Sequence, residues 1–379
     1  MPLVCNDMNR NILSVLLMAV WTSTAHANTG TTYTVHGSTV VPVSFSLSFN
    51  ADSSCNFGFI PGDSSFNSGG LYFRANRQQR FHKSVPPGNY SGITYLGSNR
   101  YALVSDKAEE DGFYVFRIDV DSLSGKILNV VNEGYRSAGL PNRDMEAIAW
   151  FPVAGTLFIS GEKDNEIYEY APDGSRTGRK LNMPEEFASA TAEYGLESLT
   201  YNAVTHRFWT TTESTLPADG RPASPSNRVC NRLRLQSFGD DMQPSQQYIY
   251  EMDKPRARKP SQHYAMGVSE LCALDDGRLL VLEREFYSSS AIIPYAGVFC
   301  RLYVVNPMAS LPGEMLDKEL VAEFDTKLNL ICQNLANYEG MCLGPTLSDG
   351  SRLLIMVSDS QNRYKGILRD WFMTLVLRP

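Results

Sequence analysis

The sequence lacks several patterns on which common enzyme classes depend. Histidine is scarce, with five in the chain, and His82, His206 and His263 share no spacing that would group them at one site. Neither a Cys-x-x-Cys motif nor a cysteine and histidine cluster occurs, so a zinc site is not indicated. The Gly-x-Ser-x-Gly motif is also missing, which disfavours the nucleophile elbow of serine hydrolases.

Charge and hydropathy disfavour further classes. The formal net charge is −7, and no basic run stands out in this acidic chain, so we expect neither nucleic acid nor an anionic membrane as a partner. Beyond the N-terminus, no apolar stretch approaches the length that spans a bilayer. No segment shows sustained helical periodicity, and an α/β fold is therefore disfavoured.

The N-terminus predicts export. An apolar stretch of about ten residues, 12–21, follows Arg10 and precedes Ala25-His26-Ala27, which is the pattern of a signal peptide over residues 1–27. Met8 is a plausible start within it. A membrane anchor is the alternative, but the stretch is too short to span roughly 30 Å of hydrocarbon. We therefore expect a periplasmic or extracellular protein, with no membrane span after cleavage near Ala27.

Six cysteines remain after that cleavage. An even number in an oxidising compartment permits disulfides, although the sequence does not choose their pairing. Cys272 and Cys342 lie in apolar strand contexts, where buried free thiols are the simplest expectation. The six are Cys55, Cys230, Cys272, Cys300, Cys332 and Cys342.

One hairpin pattern repeats five times. Each unit has a strand that opens on a polar residue, a tight turn, and a second, mostly apolar strand that closes on an acid. The turns at 276–277 and 349–350 are Asp-Gly, a strong hairpin signal. The opening and closing residues pair as Ser91 with Asp106, Glu146 with Glu162, Glu197 with Glu213, Glu270 with Glu283, and Glu339 with Asp359.

Two further strand-like runs follow most hairpins, which gives units of about four antiparallel strands. This rhythm predicts an all-β fold, a β-propeller of five to six blades. The last unit is short of strands, so residues 28–84 are expected to close the ring, with strands at 39–47 and 71–75, or to form part of a sixth blade. Residues 85–379 would form the propeller domain. A β-sandwich would not need the same hairpin five times.

Strand direction brings the acids together. The start of a hairpin's first strand lies beside the end of its second, and the innermost strands of a propeller line its axis. We therefore expect the acids at one mouth of the channel. Long connections lie on that side at 182–195, 214–232, 252–269, 286–298 and 327–338, while the opposite face carries tight turns.

Converging carboxylates need compensation by a cation, by protons or by basic partners. Ca²⁺ suits oxygen ligands from several strands. Alternatively, each opening glutamate ties blades together by accepting backbone N–H bonds. The predicted metal ligands are Glu146, Glu197, Glu270, Glu339, Asp106, Glu162, Glu213 and Asp359. Lys107, Lys163, Arg284 and Arg363 each follow a closing acid closely.

The units resemble the phytase-like family, described as having an esterase-like activity of phytase. The matching segments include Asp144-Met145-Glu146-Ala147-Ile148, Gly195-Leu196-Glu197-Ser198-Leu199 and Asn337-Tyr338-Glu339-Gly340-Met341. Residues 85–378 carry the resemblance, which implies an exported propeller that hydrolyses esters or phosphoesters. Ala147 and Ser198 stand where glycine follows glutamate elsewhere, a departure that removes no carboxylate.

The leading hypothesis is calcium-assisted hydrolysis of a small ester or phosphoester at the acidic mouth. Its candidate catalytic residues are Glu146, Glu197, Glu270, Glu339, Arg284 and Lys107, with Lys163 as a further cation. A calcium-dependent lactonase is one alternative. Another is a non-catalytic propeller that binds a protein or a glycan, for which Tyr194, Tyr201, Tyr264 and Tyr338 could stack on sugars.

Overall fold

A computed structural model gives the fold of the chain beyond residue 71. It describes residues 72–81, 88–191, 195–259, 261, 263–289, 295–329, 332–363 and 368–378. The predicted signal peptide, the predicted strand at 39–47, Cys55, His82 and Tyr194 lie outside these residues. Within them, no helix has the length and hydropathy of a membrane span.

In the described part of the chain, twenty strands form five four-stranded antiparallel sheets, which we call blades. Blade 1 consists of β2 (Tyr90–Gly97), β3 (Arg100–Ser105), β4 (Glu110–Val120) and β5 (Ile127–Pro141). Blade 2 consists of β6 (Met145–Phe151), β7 (Thr156–Gly161), β8 (Glu166–Tyr170) and β9 (Arg176–Lys180). Blade 3 consists of β10 (Leu196–Asn202), β11 (Arg207–Thr212), β12 (Arg232–Gly239) and β13 (Pro244–Glu251).

The remaining blades use strands from both ends of the chain. Blade 4 consists of β14 (His263–Ala273), β15 (Leu279–Ser289), β16 (Tyr295–Val305) and β17 (Lys318–Leu328). Blade 5 consists of β18 (Asn337–Thr346), β19 (Arg352–Asp359), β20 (Phe372–Arg378) and β1 (Tyr72–Ala75). Short 3-10 turns occur at Glu185–Ser189 and Pro307–Ala309.

The first strand of every blade faces a common axis. β2, β6, β10, β14 and β18 each contact the next, and β18 returns to β2, so the ring closes. The protein is therefore a β-propeller, as predicted, and its described residues form five blades. β1 pairs antiparallel with β20, the third strand of blade 5. The predicted closure by an N-terminal strand is confirmed for the 71–75 region.

Buried apolar side chains hold neighbouring blades together. β19 shows this well, because five consecutive residues from Leu353 to Val357 are fully buried. A strand with blades on both sides has no solvent face, which is why its sequence does not alternate between apolar and polar residues. At about 25 cal/mol per Å² of apolar surface, these inter-blade layers are the main stabilising contribution to the fold.

Blade 4 differs from the expectation. Segments 263–269, 286–289 and 295–298, which the sequence analysis assigns to loops, continue strands, and β14 to β17 have 11 residues each. At about 3.3 Å per residue, β14 and β15 extend past the innermost hairpins of the other blades, whose strands have 6 to 10 residues. Their aromatic and β-branched residues favour strand pairing. Blade 4 therefore projects beyond the face that carries the connections between blades.

The described cysteines include free thiols and one disulfide partner. Cys272 and Cys342 are free and buried, as expected, and so is Cys300. Cys230 is free and half-buried. Cys332 is disulfide-bonded.

Candidate functional site

Each hairpin has an irregularity where its first strand begins. Between β2 and β3 the register shifts at Ser91, and between β18 and β19 it shifts at Glu339. Bulges of this kind re-aim a side chain without ending the strand pairing. The side chains at or beside the shift, one per blade in chain order, are Ser91, Glu146, Glu197, Ser269 and Glu339.

A second set of side chains comes from the second strand of each hairpin, one residue past the pair that precedes the bulge. In chain order these residues are Asp106, Glu162, Glu213, Arg284 and Asp359; the first three follow the end of the pairing, whereas Arg284 and Asp359 are still paired, with Gly267 and Asn337. Together the bulge and closing residues surround one mouth of the channel, and we call the ten of them the acidic ring. The structure thus brings seven of the eight predicted metal ligands into the ring.

The fourth hairpin corrects the sequence alignment by one residue. Its bulge lies at Ser269, between the pairs Val268 with Glu283 and Glu270 with Leu282. The pairing of Glu270 with Glu283 at the mouth is therefore wrong. Because side chains alternate along a strand, the slip of one residue sends both carboxylates away from the ring.

Glu270 lies on the axis below the ring. Its Oε1 accepts the backbone N–H of Leu199 from blade 3 at 3.1 Å and that of Leu271 at 2.9 Å. Burial raises the pKa of Glu270 well above its usual range, partly offset by these N–H groups and that of Met341 in blade 5. The sequence analysis offered blade bridging as the alternative to a metal role, and at Glu270 the hydrogen bonds are those of a bridge.

Small residues make room for the Glu270 side chain. The corresponding positions of the other blades are Gly92, Ala147, Ser198 and Gly340. A Cβ added at Gly92 would lie 2.8 Å from the Ala147 Cα, so the axis is close-packed at this level. One glutamate among four small residues fills the channel between the ring and the opposite face.

Glu283 lies on the other side of its strand. Its carboxylate accepts the hydroxyl of Tyr250 at 2.8 Å and the ammonium of Lys318 at 2.6 Å, in the layer between blades 3 and 4. Burial raises its pKa, while Lys318 opposes that shift. These contacts give Glu283 a structural environment away from the channel.

Arg284 is the one strong base inside the ring. Its Nη2 pairs with Glu213 and its Nη1 with Glu339, and both partners come from neighbouring blades. Asn337 accepts a further hydrogen bond from Nη1 at 2.8 Å. Burial lowers the pKa of Arg284, but Glu339 and Glu213 outweigh that effect and leave it raised. The guanidinium is therefore a fixed cation that compensates the ring on one side.

Three carboxylates converge on the other side of the ring. One oxygen each of Asp106, Asp144 and Glu146 lie within 4.8 Å of one another. Asp144 occupies the link between blades 1 and 2 with a φ of 59°, a left-handed conformation that aspartate tolerates better than most residues. The sequence analysis missed Asp144 because it belongs to neither strand of a hairpin. The available signal was the position of Asp144 two residues before Glu146, within the segment Asp144-Met145-Glu146-Ala147-Ile148.

Two lysines border this cluster. Lys107 forms an ion pair with Asp106 and lies 3.6 Å from Asp144, and Lys163 lies 3.6 Å from the other oxygen of Asp144. Both are more than two-fifths exposed, in contrast to buried Arg284. The lysines are thus mobile cations at the solvent edge of the cluster.

Burial raises the pKa values of several carboxyl groups in the ring. Burial raises the pKa of Asp106 to about 6, with a further contribution from Asp359. Burial, then the charge of Asp106, raises the pKa of Glu146 well above its usual range. Burial similarly raises the pKa values of Glu197 and Glu339, with nearby carboxylates adding to the shift. A cation at the ring would reverse these shifts.

Glu162 is a half-buried carboxyl group of the ring with a raised pKa. Burial raises it to about 7, and the backbone N–H of Gly195, which its Oε1 accepts at 3.1 Å, partly offsets this. Asp144 and Lys107 are both close enough to influence its titration. A carboxyl group with this pKa exchanges its proton near pH 7 and has the property required of a general base.

The donor set near Asp106 fits Ca²⁺. Three carboxylates supply hard oxygens, and Oδ1 of Asp106 is buried with no hydrogen-bond partner among the described residues. An unpartnered buried carboxylate oxygen is costly unless something binds it. No cysteine or histidine belongs to the cluster, so softer metals are disfavoured.

Comparison with known proteins identifies the family of the chain. The model of the phytase-like family, described as esterase-like activity of phytase, matches residues 85–361. The chain belongs to the phytase-like family. No curated protein matches it.

Solved propellers resemble this phytase-like chain only distantly. A gluconolactonase from Xanthomonas campestris is 10% identical over 84% of this chain and 97% of its own, with a TM-score of 0.34. The virginiamycin B lyase of Staphylococcus aureus is 9% identical over 80% and 99%, with a TM-score of 0.34. A member of the duf4221 family from Bacteroides vulgatus is 9% identical over 81% and 98%, with a TM-score of 0.37. Similarity at this level does not bear on the activity.

The tyrosines proposed for sugar stacking do not share one surface in the phytase-like structure. Tyr338 is fully buried and donates its hydroxyl to Gln78 at 2.8 Å. Tyr201 lies on the tight-turn side, where it donates to Asp240. Tyr264 lies on projecting blade 4. The predicted common rim of tyrosines is therefore wrong for these three.

The tight-turn face of the phytase-like propeller carries a cavity. Its volume is about 240 Å³, and the innermost strands of all five blades line it, with Trp150, Cys272 and Cys342 among the lining residues. Glu270 separates this cavity from the acidic ring by its position in β14. The expectation of a face with only tight turns omitted this cavity.

Proposed function

We propose that this phytase-like protein is an exported hydrolase of small esters or phosphoesters, with its reaction at the acidic ring. The observation that carries the proposal is the convergence of Asp106, Asp144 and Glu146, with ligand oxygens within 4.8 Å of one another. Family membership supports the reaction class. The disulfide at Cys332 supports an oxidising compartment and hence export.

A calcium ion completes the proposed site. Asp106, Asp144 and Glu146 would hold it, and the ion would supply Lewis acidity towards a phosphoryl or acyl oxygen. Glu146 and Asp106 belong to the ligand set predicted from the sequence, whereas Asp144 replaces Glu270 in it. The metal roles predicted for Glu162, Glu197, Glu213, Glu339 and Asp359 stay predictions, with Glu213 and Glu339 already paired to Arg284.

Side chains of the chain would perform the remaining steps. Glu162, with a pKa raised by burial to about 7, would take a proton from the attacking water. Lys107 and Lys163, exposed at the edge of the cluster, would neutralise negative charge that develops on the substrate. Arg284 would act as a positioning residue, because Glu213 and Glu339 already engage its guanidinium.

Calcium binding and hydrolysis can be measured separately. Titration calorimetry of the wild-type protein with Ca²⁺ is expected to show a site that Asp144→Asn and Glu146→Gln each lose. The matched control is Asp349→Asn, a carboxylate at a tight turn of blade 5 on the opposite face. Equal affinity of Asp144→Asn and wild type would contradict the metal site.

Activity then decides the reaction class. Nitrophenyl acetate, nitrophenyl phosphate and a lactone, each assayed with Ca²⁺ and with EDTA, distinguish ester, phosphoester and lactone hydrolysis. Calcium-dependent turnover of either nitrophenyl substrate supports the proposal. Turnover of the lactone alone would favour the calcium-dependent lactonase. Calcium binding without turnover of any of them would favour a propeller that only binds its partner.

A further inference from the structure

A basic segment borders blade 4 at the level of the acidic ring. Residues 254–259 read Lys-Pro-Arg-Ala-Arg-Lys, and we call them the basic loop. This run corrects the expectation that the chain has none, which followed from the acidic total. The net acidic composition of the whole chain, with 41 Asp and Glu against 34 Lys and Arg, does not reveal such a local run.

Blade 4 holds the backbone of the basic loop in place. The two oxygens of Glu285 accept the N–H groups of Arg256 at 2.8 Å and of Ala257 at 2.9 Å. Arg228, from the long connection of blade 3, donates to the carbonyl of Ala257 at 3.2 Å. The loop is thus fixed at its centre from two blades, which limits the entropy that a ligand would have to remove.

The cationic side chains of the basic loop point outward. Lys254, Arg256, Arg258 and Lys259 are exposed, whereas Pro255 between them is buried. None of the four forms an ion pair with any described residue, although the structure contains ion pairs in every blade. Arg256 instead stacks on Phe299, with its guanidinium carbon 4.2 Å from the ring centroid. The loop therefore exposes four cations that form no ion pair with the described residues, in a chain of net charge −7.

Aromatic side chains accompany this charge on the same blade. Tyr264 and Tyr287 lie directly opposite each other on β14 and β15, and both are half-buried. Side chains alternate along a strand, so Tyr287 shares the face of Glu285, which anchors the loop. Tyr264 also donates its hydroxyl to Glu285 at 3.1 Å. Cations and tyrosines thus meet on one flank of the projecting strands.

This combination favours an acidic sugar polymer over a lipid surface. Tyrosine offers a flat apolar face for a sugar ring and a polar edge, and the cations match its carboxylates or sulfates. Insertion into a membrane would need exposed aliphatic side chains, and the described residues of blade 4 from β14 to β16 have no exposed large aliphatic side chain.

We propose that the basic loop and the adjacent flank of blade 4 bind an acidic polysaccharide. Lys254, Arg258 and Lys259 contact its anionic groups, and Tyr264 and Tyr287 pack against sugar rings. The site lies beside the acidic ring but uses none of its residues, so binding does not depend on the proposed hydrolysis or on calcium.

Polygalacturonate and its fully methyl-esterified form provide a matched pair of probes. Affinity electrophoresis and calorimetry in EDTA are expected to show binding of the charged polymer and at least tenfold weaker binding of the esterified one. The double variant Arg258→Gln/Lys259→Gln should lose about tenfold or more in affinity. The control Arg117→Gln/Lys126→Gln removes the same charge from exposed sites of blade 1 and should bind like the wild type.

The alternatives give different results. Equal binding of both polymers, or unchanged affinity of the Arg258→Gln/Lys259→Gln variant, would overturn the proposal. So would stronger binding to vesicles with one third anionic phospholipid than to polygalacturonate. Tyr287→Ala separates stacking from charge alone: it should weaken polygalacturonate binding with no change in the salt dependence of the affinity. Loss of calcium-dependent turnover in an Asp144→Asn variant should leave this binding intact.

Discussion

Arg284 occupies in blade 4 the closing position that Glu213 occupies in blade 3, and the two side chains form a buried ion pair. The pair joins neighbouring blades at the mouth of the channel. Arg284 also pairs with Glu339 from blade 5, so one guanidinium links three blades. Among the five closing residues of the ring, Arg284 is the one that is not an acid, and its positive charge offsets the repulsion among the carboxylates.

Removal of this guanidinium should destabilise the protein strongly. In Arg284→Met the carboxylates of Glu213 and Glu339 lose their buried cation, and such losses cost about 3–5 kcal/mol. Urea unfolding in EDTA, followed by circular dichroism, measures the change in free energy of unfolding. Lys163→Met is the control, because its exposed ion pair should contribute about 0–1 kcal/mol. Equal stability of the two variants would contradict this role of Arg284.

The fold could be predicted because its signals are local. Each hairpin turn and each apolar second strand lies within a short segment of the sequence. The shortage of strands in the last unit can likewise be read from one segment. β19, with its continuous apolar run, is an example. The added length of the blade 4 strands could not be predicted. Residues 286–289 and 263–269 become strands only because they pair with each other. Local composition does not distinguish such a pair from two polar loops.

The site could be predicted less fully. The repeat located the acidic ring, but a bulge of one residue decides which side chain faces it, and nothing in the local sequence reveals that Ser269 rather than Glu270 occupies the bulge. Asp144 was missed because its position follows from how blade 2 packs against blade 1. Arg284 was identified, although as a stabiliser of developing charge rather than as the centre of two ion pairs.

Glu270 should tolerate loss of charge but not loss of volume. Because its pKa lies well above the usual range, Glu270→Gln keeps a neutral side chain of the same shape and should change the free energy of unfolding by less than about 1.5 kcal/mol. Glu270→Ala leaves an axial cavity and unpaired N–H groups in two other blades, with an expected cost of about 2–5 kcal/mol. Thermal and urea unfolding distinguish the two.

Calcium affinity provides the second measurement on these variants. Neither Glu270 variant should alter the affinity for calcium, in contrast to Glu146→Gln, because Glu270 lies outside the ring. A loss of calcium binding in Glu270→Gln would restore the metal role that the sequence predicted for it.

The raised carboxyl pKa values predict how stability depends on pH. Folding raises the pKa of Asp106 to about 6 and that of Glu162 to about 7, from 3.8 and 4.5. The folded state therefore binds more protons than the unfolded state between about pH 4 and pH 7, and stability in EDTA falls as pH rises through this window. For Asp106, which is 9% exposed, the loss is of the order of 2–3 kcal/mol.

Calcium should oppose this loss, because it binds the ionised carboxylates. Thermal unfolding is expected to show a Tm that declines from pH 4.5 to pH 7.5 in EDTA, and a calcium-induced rise in Tm at pH 7.5 that disappears at pH 4.5. The variant Asp106→Asn should flatten the decline in EDTA. A Tm in EDTA that stays constant or increases over this range would contradict the raised pKa values of Asp106 and Glu162.

The pH dependence of turnover tests the role of Glu162. If it is the general base, kcat/KM for a nitrophenyl substrate should rise with pH to a plateau, with an apparent pKa above the usual range of a glutamate because the side chain is buried. Glu162→Gln should lower kcat by about 10²- to 10⁴-fold and remove this titration from the pH profile. Its affinity for calcium should fall little, because Glu162 lies outside the cluster of Asp106, Asp144 and Glu146. Asp349→Asn, which changes an exposed carboxylate at a tight turn of the opposite face, is the control. A Glu162→Gln variant that keeps both its rate and its pH profile would remove the residue from the mechanism.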